Sequence, residues 1–265
     1  MQAPESGAHG ENSAARNLAG GLLLGLKNFF LPAFCRNCGD RILTEHNLYF
    51  CDECWATIEP VREPKCPRCG RPHSRRIGFE PVESFVCSEC SAQKLWVGTT
   101  HAAGLHTGVL RQAVHLLKYR RKRLMAKPLA RLLFDAAASS LDFAAYDAIV
   151  PVPLHRNRLK ERGYNQAGLI AEHVCQWAHG TELLHALVRV KDTPSFSMLG
   201  AQERRRQVKK AFQVLPDVDV KKKRLLLVDD VFTTGATSNE CARVLCRAGA
   251  DAVDMLAVAV ARRLD

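Results

Sequence analysis

No stretch of this chain is apolar for long enough to cross a bilayer. The best candidate, Leu18 to Phe34, is short and is broken by Lys27, Asn28 and Pro32, whereas a spanning helix needs about 20 apolar residues. It reads instead as a short amphipathic segment, and no transmembrane segment is expected. A secretory leader is not expected either. Glu5 and Glu11 precede Arg16 where a leader would open on basic residues, and no small-x-small cleavage signal follows. Phe34 ahead of Cys35 spoils a lipoprotein signal. Residues 1–17 are small and polar and are expected to be a disordered tail. Nothing repeats internally apart from cysteine pairs. One further lack is local: no acidic residue stands between Arg111 and Arg131.

What is present starts with charge. The 265 residues carry a formal net charge of +11, so the chain is drawn to polyanions such as nucleic acid or an anionic surface. Its length fits one sizeable domain plus a small one.

Eight of the 11 cysteines lie between Cys35 and Cys90, all in Cys-x-x-Cys pairs: Cys35–Cys38, Cys51–Cys54, Cys66–Cys69 and Cys87–Cys90. Pairs of this kind point to zinc in a reducing compartment, hence to a cytoplasmic protein. Each pair supplies two thiolates and an ion takes four, so two ions are expected. All-cysteine sites are closed, hence structural. Glycine follows the pair at Gly39 and at Gly70, freeing a tight turn. The other two pairs, Cys51-Asp-Glu-Cys54 and Cys87-Ser-Glu-Cys90, share an acidic form. Two successive ribbons, each one glycine knuckle plus one acidic knuckle, is the favoured pairing; a cross-braced pairing is the alternative. Such ribbons bind nucleic acid or protein, or staple a module that lacks a core.

The remainder alternates strand-like and helix-like patterns, which predicts an α/β domain with a parallel sheet. Strands are expected over 99–105, 148–153, 183–190, 211–215, 225–228 and 252–261, and helices over 109–119, 124–141, 166–178 and 237–248. A polar, basic loop leading into a helix turn is expected over 191–210. The predicted organisation is a disordered tail (1–17), an amphipathic segment with a double zinc-ribbon module (18–94), and the α/β domain (95–265).

The most informative stretch is 225–238. Four apolar residues, Leu225 to Val228, end in Asp229 and Asp230. A hydroxyl- and glycine-rich turn follows, Thr233, Thr234, Gly235, Ala236 and Thr237, opening a helical pattern. Amides at a helix start favour phosphate, and adjacent carboxylates suit sugar hydroxyls. A second strand tip, Val152, Pro153 and Leu154, runs into His155, Arg156, Arg158, Lys160 and Arg162, cations that suit a diphosphate.

This segment is similar to the phosphoribosyl-diphosphate (PRPP) signature of type I phosphoribosyltransferases. The whole layout resembles the ComF/GntX family of competence proteins. The resemblance is carried by the four cysteine pairs, Leu117-Lys118-Tyr119, Val150 to His155, Arg162 to Gln166, Arg204 to Phe212 and Val228 to Thr237. It implies a type I phosphoribosyltransferase-like domain behind an N-terminal zinc-ribbon module, and a role with single-stranded DNA in natural transformation. It further implies that Asp229 and Asp230 contact the ribose of PRPP as the catalytic pair. Residues 233–237 would hold its 5′-phosphate. Val152, Pro153, Leu154, His155 and Arg156 would approach the diphosphate, with magnesium bridging. Residues 191–207 would form the mobile loop, in which Phe196 and Gln207 replace the family's usual glutamine and asparagine.

A further basic run, Arg120, Arg121, Lys122 and Arg123, follows Lys118 and Tyr119. With Lys118 it is the candidate nucleic-acid surface, Tyr119 or Trp96 offering a face for a base. A solubilising surface is the competing reading of any one run. Three functions follow as expectations: a single-stranded DNA handling protein with a PRPP pocket, an active phosphoribosyltransferase in nucleotide salvage, or an adaptor whose ribbons dock a DNA-uptake helicase or membrane-channel protein.

Overall fold

A computed structural model describes residues 32–44, 46–73, 85–192 and 201–262. The expected tail, most of the amphipathic segment and Phe196 lie outside the described residues. The chain divides into two compact units, 1–56 and 57–265.

In the first unit, β1 (Ala33–Phe34) and β2 (Arg41–Ile42) pair antiparallel around the first knuckle, and α1 (Asp52–Ala56) begins beside the second. Its small apolar centre holds Ile42 and Phe50, with Trp55 packed on Phe50 at 5.9 Å between ring centroids.

The second unit opens with the other two cysteine pairs and α2 (Ser88–Ser91). There follow β3 (Thr100–Leu105), α3 (Gly108–Tyr119), α4 (Ala126–Ala138), β4 (Ala148–Pro151), α5 (Arg156–Arg162), α6 (Gln166–Trp177), β5 (Glu182–Leu183), β6 (Leu187–Arg189), α7 (Ala201–Val208), β7 (Phe212–Val214), β8 (Arg224–Phe232), α8 (Ala236–Arg247) and β9 (Ala252–Val260). Five strands form a sheet in the order β3-β9-β8-β4-β5, and every pair is parallel. A strand buried on both faces is a continuous apolar run, and Leu225 to Val228 is fully buried.

Strand alternation sends Leu225 and Leu227 into a core with Cys241 and Leu245 of α8 and, in the same cluster, Cys66, Cys69, Cys87 and Cys90. The second four-cysteine cluster therefore shares a hydrophobic core with one face of the sheet. Helices α4 and α6 pack on each other, α4 against β3 and α6 against β8.

Three expectations are corrected. The single strand expected over 183–190 is two: β5 adds to the parallel sheet, while β6 leaves it to pair antiparallel with β7. The strand expected to end at Val228 runs on to Phe232, because it pairs with β9 as far as Val260. The helix turn expected at the end of the 191–210 loop is longer, an eight-residue helix, α7. The run Arg156–Arg162, whose basic residues alone suit a solvated helix face, is a helix capped by His155.

Candidate functional site

The metal clusters come out as consecutive pairs, not cross-braced. Cys35, Cys38, Cys51 and Cys54 form one group and Cys66, Cys69, Cys87 and Cys90 the other, with the sulfurs of each group within 4.8 Å of one another. Zinc–sulfur bonds of about 2.3 Å in a tetrahedron put sulfurs about 3.8 Å apart. Cys38 Sγ lies 3.7 Å from Cys51 Sγ, and Cys69 Sγ lies 3.8 Å from Cys87 Sγ. Backbone N–H groups point at thiolates in both groups, Asn37 at Cys35 (3.4 Å) and Cys87 at Cys66 (3.4 Å). The donor sets fit two structural zinc ions.

The carboxylate pair sits in β8 beside the sheet's C-terminal edge, where open parallel sheets bind ligands. Strand alternation puts Asp229 and Asp230 on opposite faces. Asp230, in the register of Leu226 and Val228, meets Lys118 of α3, Nζ to Oδ1 at 2.7 Å. Asp230 is 2% exposed, and its Oδ2 has no hydrogen-bond partner. Burial works against the Lys118 charge, but the Asp230 and Asp229 carboxylates outweigh it and hold the ammonium above its ordinary range. Asp229 accepts from the Asp230 N–H at 2.8 Å. Burial, then the Asp230 charge, push its carboxyl up to about 7, with Lys118 opposing.

Beyond β8 the chain turns through Gly235 into α8. Gly235 has φ +71, and a Cβ there would lie 2.6 Å from the Phe232 ring, so glycine is required. Having no side chain, this N-cap makes no capping bond to the first turn, and such amides are the groups that favour anions.

A cleft of about 310 Å³ joins these parts. Its walls include Asp229, Asp230, Thr233, Thr237 and Val152, Pro153 and Leu154, with Lys118, Arg158, Arg162 and Arg189 as cations. Thr234 and Gly235 lie instead on the side facing the second cysteine cluster. Ala236 is the first residue of α8. His155 is buried, caps α5 and faces Asp192 at 3.4 Å, while Arg156 is exposed; neither is among the lining residues.

The basic run divides. Lys118 belongs to the cleft through Asp230. Arg121 donates to the Glu161 carbonyl (2.9 Å), and Arg123 lies 5.5 Å over the Tyr164 ring. Arg120 is exposed and Lys122 half-buried. Lys118, Tyr119, Arg121, Arg158 and Arg162 line a second hollow that continues from the cleft.

Three side chains escape a sequence reading. Arg189 reaches the cleft from β6, inside an apolar strand that gives no hint of it. Burial and then the Lys118 charge hold His106 below its ordinary pKa, so a neutral imidazole faces the cleft at pH 7. Asn165 caps α6 through Ala167 and also donates to the Val152 carbonyl at 3.0 Å, fixing the strand tip; the Gly-Tyr-Asn-Gln motif was its only signal.

Two all-cysteine ribbons and a parallel α/β domain with a carboxylate-lined cleft at the C-terminal edge of its sheet define a double zinc-ribbon protein with a phosphoribosyltransferase-like domain. Residues 26–91 match the family described as Double zinc ribbon domain. Over 228 residues the chain is 30% identical to the DNA utilization protein YhgH of Salmonella typhimurium, spanning 85% of this chain and 96% of the relative. It is 28% identical over 220 residues to Competence protein F of Haemophilus influenzae, spanning 79% of this chain and 96% of the relative. A solved purine phosphoribosyltransferase from Pyrococcus horikoshii is a partial likeness only, at 18% identity and TM-score 0.31 over 48% of this chain and 69% of its own. The chain belongs to the ComF family. No helix among the described residues is long and apolar enough to cross a membrane.

Proposed function

We propose that this chain binds PRPP, or a close phosphoribosyl relative, in the cleft beside β8. We further propose that it works in the cytoplasm on single-stranded DNA entering the cell. The observation that carries the first part is the constellation of Asp229, Asp230 and Lys118 beside the start of α8. Carboxylates accept from ribose hydroxyls, first-turn amides and Thr233 and Thr237 take the 5′-phosphate, and Arg158 and Arg162 take the diphosphate. The unpartnered, buried Oδ2 of Asp230 is a hard oxygen donor of the kind magnesium prefers. Asp229 and Asp230 would hold that ion with the ligand's own oxygens, and it would neutralise diphosphate charge there. The second part is supported by the net charge of +11 and by relatives named for DNA utilization and competence.

Calorimetry and thermal unfolding with PRPP and magnesium test the first part. Wild type is expected to bind and gain stability, and Asp230→Asn to lose both; no binding by wild type at millimolar PRPP would remove the pocket reading. Fluorescence anisotropy with labelled oligonucleotide across a salt series tests the second. Binding is expected to weaken steeply with salt, and no affinity even at low ionic strength rejects it.

Catalysis is the second reading, favoured by the paired carboxylates facing cations across one cleft. The C1–O bond would break with its electron pair leaving on diphosphate, and an acceptor's lone pair would form the new bond at C1. Positioning and charge neutralisation by the named residues would supply the rate. Diphosphate release over an acceptor panel, above the Asp230→Asn background, tests it.

A further inference from the structure

The second cysteine cluster does more than share a core with the sheet. Arg71 stands two residues beyond Cys69, and Glu89 stands one before Cys90. The Arg71 guanidinium pairs with the Glu89 carboxylate through Nη1, and its Nη2 donates to the backbone carbonyl of Thr233. Its side chain is only 13% exposed. One planar fork therefore joins both knuckles of the cluster to the first residue of the phosphate loop. A trans peptide is planar, with its C=O and N–H opposed. Anchoring the Thr233 carbonyl to Arg71 turns the next amide, that of Thr234, away from the ribbon.

Other contacts brace the same place. A Cβ on Gly70 would lie 2.6 Å from the Thr100 carbonyl, so the knuckle rests directly on β3. Asn239, in the first turn of α8, accepts from the Trp96 N–H at 2.6 Å and donates to the Lys94 carbonyl at 3.2 Å. Trp96 and Lys94 lie where the chain leaves the ribbon. The phosphate loop and the helix start are thus held from behind by Arg71, Lys94 and Trp96, none of which lines the cleft.

We infer that Arg71 is a positioning residue for the phosphate loop, and that ligand affinity in the cleft therefore depends on metal in the second cysteine cluster. The inference rests on the reading of the cleft as a phosphoribosyl site for its affinity arm; its geometric arm stands without any ligand. Zinc fixes the two knuckles, the knuckles fix Arg71 and Glu89, and Arg71 fixes the amides that meet the phosphate.

The test uses the full chain and three measurements on Arg71→Ala and Arg71→Lys: zinc content, hydrogen exchange of the 233–238 amides without ligand, and PRPP affinity with magnesium. Both variants are expected to keep two zinc ions. In Arg71→Ala the loop amides are expected to exchange about tenfold faster and PRPP affinity to fall about tenfold, the loss of a charged hydrogen bond. Lysine keeps the charge without the fork and should recover part of each. Stripping zinc from wild type with a chelator should reproduce the loop effect, and this serves if the alanine variant fails to fold. Loop exchange unchanged in both variants and in the stripped protein overturns the inference. Loss of zinc from Arg71→Ala also overturns it, since Arg71 would then hold the ribbon and not the loop. Should wild type bind no PRPP, the pocket reading fails, while the exchange arm still decides on Arg71.

Discussion

The two cysteine clusters are near copies in sequence and different objects in structure. Each has a glycine knuckle and an acidic knuckle, and their glycine knuckles close with the same bonds. Gly39 N–H donates to the Cys35 carbonyl at 3.0 Å, and Gly70 N–H to the Cys66 carbonyl at 2.9 Å. Among the described residues of the first unit, the apolar packing beside the cysteines is Ile42 and Phe50 with Trp55, and its Cys38 is exposed. All four cysteines of the second are buried in the core that also holds Leu225, Leu227 and Phe232 of β8. The same metal motif therefore stands in one case beside a few described apolar side chains and in the other inside the core behind a parallel sheet. What a motif does depends on its outer side chains and on the surface against which they rest. The residue after the knuckle glycine is Asp40 in the first cluster and Arg71 in the second, and Arg71 bonds the Thr233 carbonyl.

The largest effect expected from this contrast comes from removing ligands. Cys69→Ser with Cys90→Ser should lose one of two zinc ions and destabilise the whole second unit by several kcal/mol, because metal binding there is folding energy for a shared core. Cys35→Ser with Cys38→Ser should also lose one ion but leave the main thermal transition nearly in place. Metal analysis and calorimetric unfolding separate the two. Equal losses of the main transition would erase the contrast.

A milder comparison uses the knuckle glycines. Both have positive φ, +85 at Gly39 and +67 at Gly70, but a Cβ at Gly39 meets nothing within 4 Å. Gly39→Ala should cost about 1 kcal/mol, the left-handed strain alone. Gly70→Ala adds the collision with the Thr100 carbonyl and should cost about 3 kcal/mol. Denaturant unfolding measures both, and similar costs would mean that the second knuckle does not bear on β3.

The smallest effect is a pH dependence confined to the second unit. The Asp229 carboxyl is raised to about 7 from an ordinary value of 3.8, first by burial. Between those values the unfolded chain has lost the proton that the folded one keeps, so this group lowers stability as pH rises through the window. Asp229→Asn should raise the unfolding temperature by about 3 °C at pH 8, and the gain should shrink towards pH 5. A gain of the same size at both pH values would deny the shift.

Much of this was legible in the residues. The cysteine spacing and the glycine and acidic knuckles favoured consecutive pairing over cross-bracing, because both are properties of short turns, and the structure groups the sulfurs that way. The parallel sheet was legible because strands buried on both faces must be apolar throughout. The run at 183–190 misled for a related reason. Its apolar residues suit either sheet, and only the partner β7 draws Leu187–Arg189 away. Lys118 reads in sequence as the first member of a basic run, and nothing local marks its bond to a carboxylate more than a hundred positions on.

The chain's own sequence determined the chemistry available: eight thiolates in four pairs, two adjacent carboxylates at the end of a buried strand, and a hydroxyl- and glycine-rich turn at the start of a helix. Each is set by neighbours a few residues apart, through turn geometry and strand burial. The tertiary structure decided the assignments. It chose which face each carboxylate takes, paired Lys118 with Asp230, brought Arg189 to the cleft, and set Arg71 against Thr233. Those choices depend on which buried surfaces pack together, and packing is a property of the whole chain, not of any segment.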